Sequence, residues 1–149
     1  MSKIRFIKCR KTKSPERGTK SSSWIDFFIP DDFISTIMEV WDTILIPSWL
    51  KCIIEDWYDM VLKEKSWIAL KKNLQCWSCV IDSDYRWEFN FHFTKIAWDV
   101  IQLNPWDKIV QWIIRPVILW DIEMITEEEF ERENNTKRSS GWFWSTGES

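Results

Sequence analysis

Apolar residues between Ile29 and Trp67 recur at intervals of three and four, the spacing of one helical face. Phe33, Ile34, Ile37, Met38 and Trp41 form the first run. It follows Ile29-Pro30 and an Asp31-Asp32 pair, whose carboxylates can cap a helix by accepting from unpaired backbone N–H groups. Pro47 opens a second run at a position where its missing N–H costs nothing, and Trp49, Leu50, Cys52, Ile53 and Ile54 follow. Trp57, Met60 and Val61 carry the pattern through a third segment to Trp67, and Leu70 and Leu74 extend it towards Cys76. The spacing predicts a three-helix module over residues 25–70.

Beyond that module the period changes. Asp82-Ser83-Asp84 reads as a turn, and Tyr85, Trp87, Phe89, Phe91 and Phe93 then alternate with Arg86, Glu88, Asn90 and His92. That alternation predicts a half-buried strand with an aromatic inner face. A short helix is expected over 94–103, and Asn104-Pro105-Trp106-Asp107 starts another that runs to Arg115 and stops at Pro116. Val117 to Trp120 is expected as a second strand, and Thr126 with Glu129 forms a capping box for a short acidic helix with Phe130 as its core contact. The expected fold class is therefore α+β and mainly helical, the helical module being followed by a small mixed α/β, Trp-rich region over 71–133. Residues 1–22 read as a flexible basic arm, and 134–149 as a flexible tail interrupted by Trp142-Phe143-Trp144.

Composition adds three points. The 149 residues, 45% hydrophobic and 29% charged, suit one domain plus a short module. Trp occurs thirteen times and Gly three, while Ala stands only at 69 and 97. Scarce Ala and Gly suggest an AT-rich coding sequence such as some viruses carry, although Trp codons do not fit that bias. The net charge of −3 is unevenly placed: eight Lys/Arg against Glu16 give residues 1–20 a charge of +7, and the rest is −10. That acidic body argues against a nucleic-acid partner, in spite of the basic arm and the Trp residues available for stacking. No apolar run follows the basic N-terminus and no uncharged apolar stretch reaches membrane-spanning length, so neither a signal peptide nor a membrane partner is expected. The four Cys read as reduced intracellular thiols, and Lys8, Arg10, Lys11 and Lys13 as an import signal or a patch for acidic partners, placing the chain in nucleus or cytoplasm.

Enzyme signatures are absent at the level of motif. There is no P-loop, GxSxG, HExxH or GxGxxG, and the lone His92 lies on the polar side of the aromatic strand. Cys76-x-x-Cys79 with His92 lacks a fourth zinc ligand, so no metal and no cofactor is expected, and these Cys are read as buried inert thiols. The four Trp-Asp dipeptides are too irregular for propeller blades.

The 29–67 segment resembles the F-box, the helical module by which substrate receptors attach to a Skp-type adaptor in cullin-RING ubiquitin ligases. Ile29-Pro30 stands for the family's Leu-Pro opening, Phe33-Ile34 for its aliphatic pair and Ile37 for the next anchor. Leu45, Ile46, Trp49 and Leu50 correspond to its second helix, Cys52 to its Val-Cys, Trp57-Tyr58 to its later Trp, and Trp67 to the Trp just beyond it. In size and composition the chain is also similar to F-box-like proteins of AT-rich adenoviruses, the atadenoviruses. The resemblance implies a non-enzymatic substrate receptor bridging an unknown target to a Skp–cullin–RING (SCF) ligase. Ile29, Pro30, Phe33, Ile34, Ile37, Leu45, Trp49, Leu50, Cys52, Trp57 and Tyr58 would form the adaptor-binding face. Trp142, Phe143 and Trp144 would dock the target. The alternative is a viral helical interaction protein that antagonises host death or signalling pathways.

Overall fold

In the computed structural model, which describes residues 3–134, the chain is built from short antiparallel strands. They are β1 (Arg5–Lys8), β2 (Glu16–Arg17), β3 (Ile25–Phe27), β4 (Thr36–Met38), β5 (Thr43–Pro47), β6 (Leu50–Ile53) and β7 (Tyr58–Glu64), then β8 (Leu74–Cys76), β9 (Val80–Ile81), β10 (Asn90–Lys95), β11 (Ile101–Leu103) and β12 (Val110–Pro116). A π-helical turn, Ile68–Lys72, separates β7 from β8. One sheet runs β2-β3-β12-β7-β9, a second β5-β10-β8, and the pairs β1-β6 and β11-β4 complete the set.

This overturns the expectation of a mainly helical α+β fold: strands make up 37% of the chain and helix 11%. The segment expected to supply three helices supplies β4, β5, β6 and β7 instead. Pro47 ends β5 rather than opening a helix, and the Asp31-Asp32 pair lies in a turn. The span 94–103 ends β10 and forms β11, Asn104-Pro105-Trp106 is a turn leading to β12, and 117–120 forms no strand. The three-and-four spacing arose from strands of three to seven residues joined by short turns, which returns apolar residues inward at intervals close to a helical period.

The core lies where the sheets face one another. Phe27 of β3 is its centre, with Phe6, Phe89, Phe91 and Trp112 all within 5.9 Å between ring centroids. Along β10 the burial alternates, with Phe91, Phe93 and Lys95 inward and Asn90, His92 and Thr94 half-buried. Phe89 is buried as well, but Tyr85 and Trp87 precede the strand, because a turn closed by Tyr85 N–H donating to Asp82 O occupies 82–85.

Lys95 sits fully buried at the inner end of that alternation. Its ammonium donates to Ala97 O and to Asp99 Oδ1, each at 2.7 Å. The hydrogen bond from Lys95, followed by one from Asn73, holds the Asp99 carboxyl below the ordinary aspartate value of 3.8. A carboxyl depressed in the folded state contributes stability above its unfolded pKa and loses it as pH falls through the folded one. A second unit begins at residue 119; over 119–134 it contains α1 (Glu127–Glu133), whose capping box is formed by Thr126 and Glu129 and whose Phe130 is exposed.

Asp99→Asn is expected to lower the urea midpoint at neutral pH, because the buried Lys95 ammonium then has only neutral carbonyl acceptors. The difference from the parent should shrink as pH is taken below the usual aspartate range, about 4. Urea unfolding of both proteins at neutral pH and in acid checks this.

Candidate functional site

The pairing of β2, β3, β12 and β7 places Glu16 opposite Asp26, Asp26 opposite Gln111, and Gln111 opposite Lys63. Directly opposed residues share a face of an antiparallel sheet, so these four form one polar row across it. The next row, Phe27, Val110 and Glu64, turns the other way, and its two apolar members are in the core. One carboxylate of the polar row, Asp26, is buried.

Around that carboxylate and Glu16 three ammonium groups gather from distant parts of the chain. Lys65, just past β7, donates to Asp26 Oδ1 at 2.5 Å, and its own N–H donates to Ile109 O. Lys108 donates to Glu16 and stands 3.9 Å from Asp26 Oδ2. Lys13 lies 4.9 Å from the centroid of Phe28, whose ring also carries Lys108 at 5.2 Å. The bond from Lys108 holds the Glu16 carboxyl below its ordinary value, with Lys108, Lys13 and Lys65 adding through space, and the same bond raises Lys108.

The loop that carries Lys108 is fixed from behind. Ile29 donates to Asp107 O and Trp106 to Ile29 O, both at 2.9 Å, while Lys72 donates to Asp107 at 3.1 Å. Ser66 begins the helical turn immediately after Lys65 and is exposed. The arrangement offers a cluster of positive donors, an adjoining hydroxyl and the amide of Gln111, which donates to Glu64 O. Those groups suit a polyanion such as a phosphate chain.

A second acidic feature stands at the other end of β7. β9 pairs Ile81 with Met60, so the turn 82–85 follows beside the start of β7, whereas Lys65 follows its end. Asp82 and Asp84 are exposed in that turn. Tyr85 is half-buried against the core, and its hydroxyl donates to Glu88 O. Several other carboxylates are engaged: Asp59 takes a two-pronged bond from Arg115 at 3.1 and 2.5 Å, and Glu88 accepts from Trp49 N–H at 2.7 Å. Asp82 and Asp84 are exposed carboxylates that this turn presents at the start of β7.

The residues assigned from sequence to an adaptor face are divided between interior and surface. Ile29, Pro30, Trp49, Leu50 and Cys52 are buried, Phe33 and Tyr58 are half-buried, and Ile34, Ile37, Leu45 and Trp57 are exposed. Trp142, Phe143 and Trp144 lie outside the described residues. Cys52 and Cys76 are buried, and burial pushes their thiols up to about 11 and about 12 respectively; Cys9 and Cys79 are exposed. Sequence singled out Lys13 only within a basic patch and did not mark Lys65, Lys108, Asp26 or Asp82 as a site, because no short motif links positions that only the sheet register brings together.

Comparisons with known proteins point to one family. The family model for dUTPase matches residues 10–147. Deoxyuridine 5'-triphosphate nucleotidohydrolases of Hydrogenobaculum sp. and Finegoldia magna are 26% and 27% identical, over 89% and 97% of this chain and 89% and 99% of their own. That of Dinoroseobacter shibae is 31% identical over 70% of this chain and 65% of its own. Among solved structures, the dUTPase of Staphylococcus bacteriophage 80alpha with dUpNHpp superposes with a TM-score of 0.80 at 19% identity, covering 99% of this chain and 100% of that one. A mutant dUTPase from phage phi11 of S. aureus, whose structure details the coordination of a structural Mg(II) ion, gives 0.74 at 17% identity over 84% and 97%. These findings replace the F-box resemblance, including its adenoviral variant, and with it the Skp-type adaptor and cullin partners, the ubiquitin-ligase role and the expectation of a non-enzymatic protein. They equally replace the alternative of a viral helical antagonist.

Thiol titration checks the burial assigned here. At mildly alkaline pH, Cys9 and Cys79 should react rapidly with a disulfide reagent, and Cys52 and Cys76 only on unfolding. Four fast thiols in the native protein would contradict the structure.

Proposed function

The chain belongs to the dUTPase family, and we propose that it hydrolyses deoxyuridine 5'-triphosphate. The observation that carries the reading is the convergence of Lys13, Lys65 and Lys108 on the polar row beside Asp26, a receptor for a triphosphate built on rigid strands. The relative from phage 80alpha was solved with dUpNHpp, an analogue whose bridging nitrogen stands between the first and second phosphates. Cleavage at that bridge gives deoxyuridine monophosphate and pyrophosphate. Water attacks the first phosphorus, the bridging P–O bond breaks, and its electron pair leaves on pyrophosphate.

Each part of the site has a task in that step. The lysines screen the charge that accumulates on the leaving pyrophosphate. Asp82, exposed and at an ordinary turn, takes the proton of the attacking water as general base. Tyr85, fixed through its hydroxyl to Glu88 O, offers a ring against which the sugar and base can pack. Among the described residues no three acidic, Cys or His side chains assemble into a metal cage. Asp26 and Glu16 are the carboxylates beside the lysine cluster that would help hold a Mg²⁺, and the ion would neutralise phosphate charge there.

One chain does not complete this site. Asp82 lies beside the start of β7 and Lys65 beyond its end, about 20 Å apart at the usual strand rise. A base at one place cannot serve a phosphate held at the other. The family assembles as homotrimers, and in such an assembly Asp82 of one copy works with the lysine cluster of another.

Pyrophosphate release from deoxyuridine triphosphate tests the activity, with deoxythymidine triphosphate as the control substrate. Asp82→Asn should lower kcat by about 10²–10⁴-fold with an unchanged melting temperature, whereas Lys65→Met should mainly raise KM. Refolding the two variants together should restore hydrolysis, because mixed oligomers contain sites with both native groups. No recovery, with mixed oligomers shown to form, would place the whole site in one chain.

A further inference from the structure

Among the described residues, five other than glycine have a left-handed backbone, and four of the five are tryptophan. They are Trp41 (φ 74°), Trp49 (φ 61°), Trp57 (φ 70°) and Trp106 (φ 70°); the fifth, Asn73 at 49°, is a residue type that tolerates this region. A large side chain at positive φ drives its Cβ against the backbone carbonyl, and glycine is the default there. The flanking sequence points the same way. Val40-Trp41, Asp56-Trp57 and Pro105-Trp106 are turn pairs, and glycine in the second place would make the last two Asp-Gly and Pro-Gly, ordinary turn dipeptides.

Burial gives an independent observation. Trp112 is 2% exposed, and its Nε1–H has no hydrogen-bond partner, although buried indole N–H groups usually find one. At the other extreme Trp41, Trp57, Trp67, Trp77, Trp87, Trp98 and Trp120 are each more than half exposed. The buried indole leaves its donor unpaired, and the exposed ones gain little from burial. Composition completes the pattern: a chain of this size ordinarily carries about ten glycines at roughly 7% usage, and this one has three Gly beside thirteen Trp.

We propose that Trp41, Trp49, Trp57 and Trp106, and through the same codon the remaining tryptophans, are glycine in the protein as its own cell makes it, the triplet UGA being translated there as glycine. The usual tryptophan triplet UGG and the usual glycine triplets GGN are all rich in G, and the scarcity of Gly and Ala marks a gene that avoids them. UGA supplies glycine without that cost in base composition, and resolves why Trp is abundant where G-rich codons are not. The change also bears on the lysine cluster. The Trp106 indole lies 4.9 Å from Lys13 Nζ, so glycine at 106 removes one of the two rings covering that ammonium and leaves it to Phe28.

Tandem mass spectrometry of tryptic peptides from cells that carry the gene reads the residues directly. Glycine is expected at 41, 49, 57 and 106, and tryptophan at any of these would overturn the proposal. A second measurement uses synthetic genes in a host of standard code, comparing the chain as written with Trp41→Gly/Trp57→Gly/Trp106→Gly and the corresponding triple alanine variant. The glycine variant should melt about 5 °C or more above the written chain, or fold where the written chain does not, and alanine should recover less than half of the gain because it keeps Cβ. A glycine variant melting no higher than the written chain, or no higher than the alanine one, would refute it.

Discussion

Seven consecutive residue pairs join β12 to β7, from Val110 opposite Glu64 to Pro116 opposite Tyr58, and this ladder is the constraint on which the rest of the molecule depends. Its far side receives β3, with Gln111 opposite Asp26. Side chains alternate along a strand with a period of two, so the register decides at once which residues enter the core and which meet solvent. As paired, Phe27 meets Phe91 of β10 and stacks on Trp112, and Glu16, Asp26, Gln111 and Lys63 share the other face. A slip of one residue would turn the carboxylates toward the aromatic core and the rings away from it. The core and the charged row are therefore two consequences of one pairing.

The parts of this fold legible in the sequence were those in which a local rule acts without competition. Phe89, Phe91 and Phe93 alternate because one face of β10 is buried and the other is not, and the Thr126–Glu129 capping box is wholly local. The 29–67 region was illegible for a physical reason. Its strands β4, β5 and β6 have three, five and four residues, too few to display a period of two. Three of the residues counted as helical apolar anchors, Trp41, Trp49 and Trp57, have left-handed backbones that no right-handed helix contains. Once these are treated as turn residues, the three-and-four spacing loses the positions that sustained it.

The site was hidden for a different reason. Lys13, Lys65 and Lys108 are each more than forty residues from the next, and nothing near them distinguishes a binding lysine from a solvated one. Lys13 belonged to a basic N-terminal segment that reads naturally as an arm, although β1 and β2 tie much of it to β6 and β3. The turn Asp82-Ser83-Asp84 was visible as a turn, but its chemical value lies in the contrast with carboxylates such as Asp26, Asp59 and Asp99, which are bound to cations. That contrast exists only in the folded chain.

Charge accounting shows why this cluster needs more than its own lysines. Three ammonium groups set against Asp26 and Glu16 leave one net positive charge, while a nucleoside triphosphate carries roughly four negative charges at neutral pH. The carboxylates are not superfluous, since Asp26 fixes Lys65, and Glu16 fixes Lys108. Without them the ammonium groups would repel one another and lose the alignment that makes preorganised donors effective. The cost of that alignment is a deficit of about three charges, more than one divalent ion on the phosphates can cover. An exposed general base and an under-neutralised phosphate site both accord with the proposed centre shared between copies of the chain.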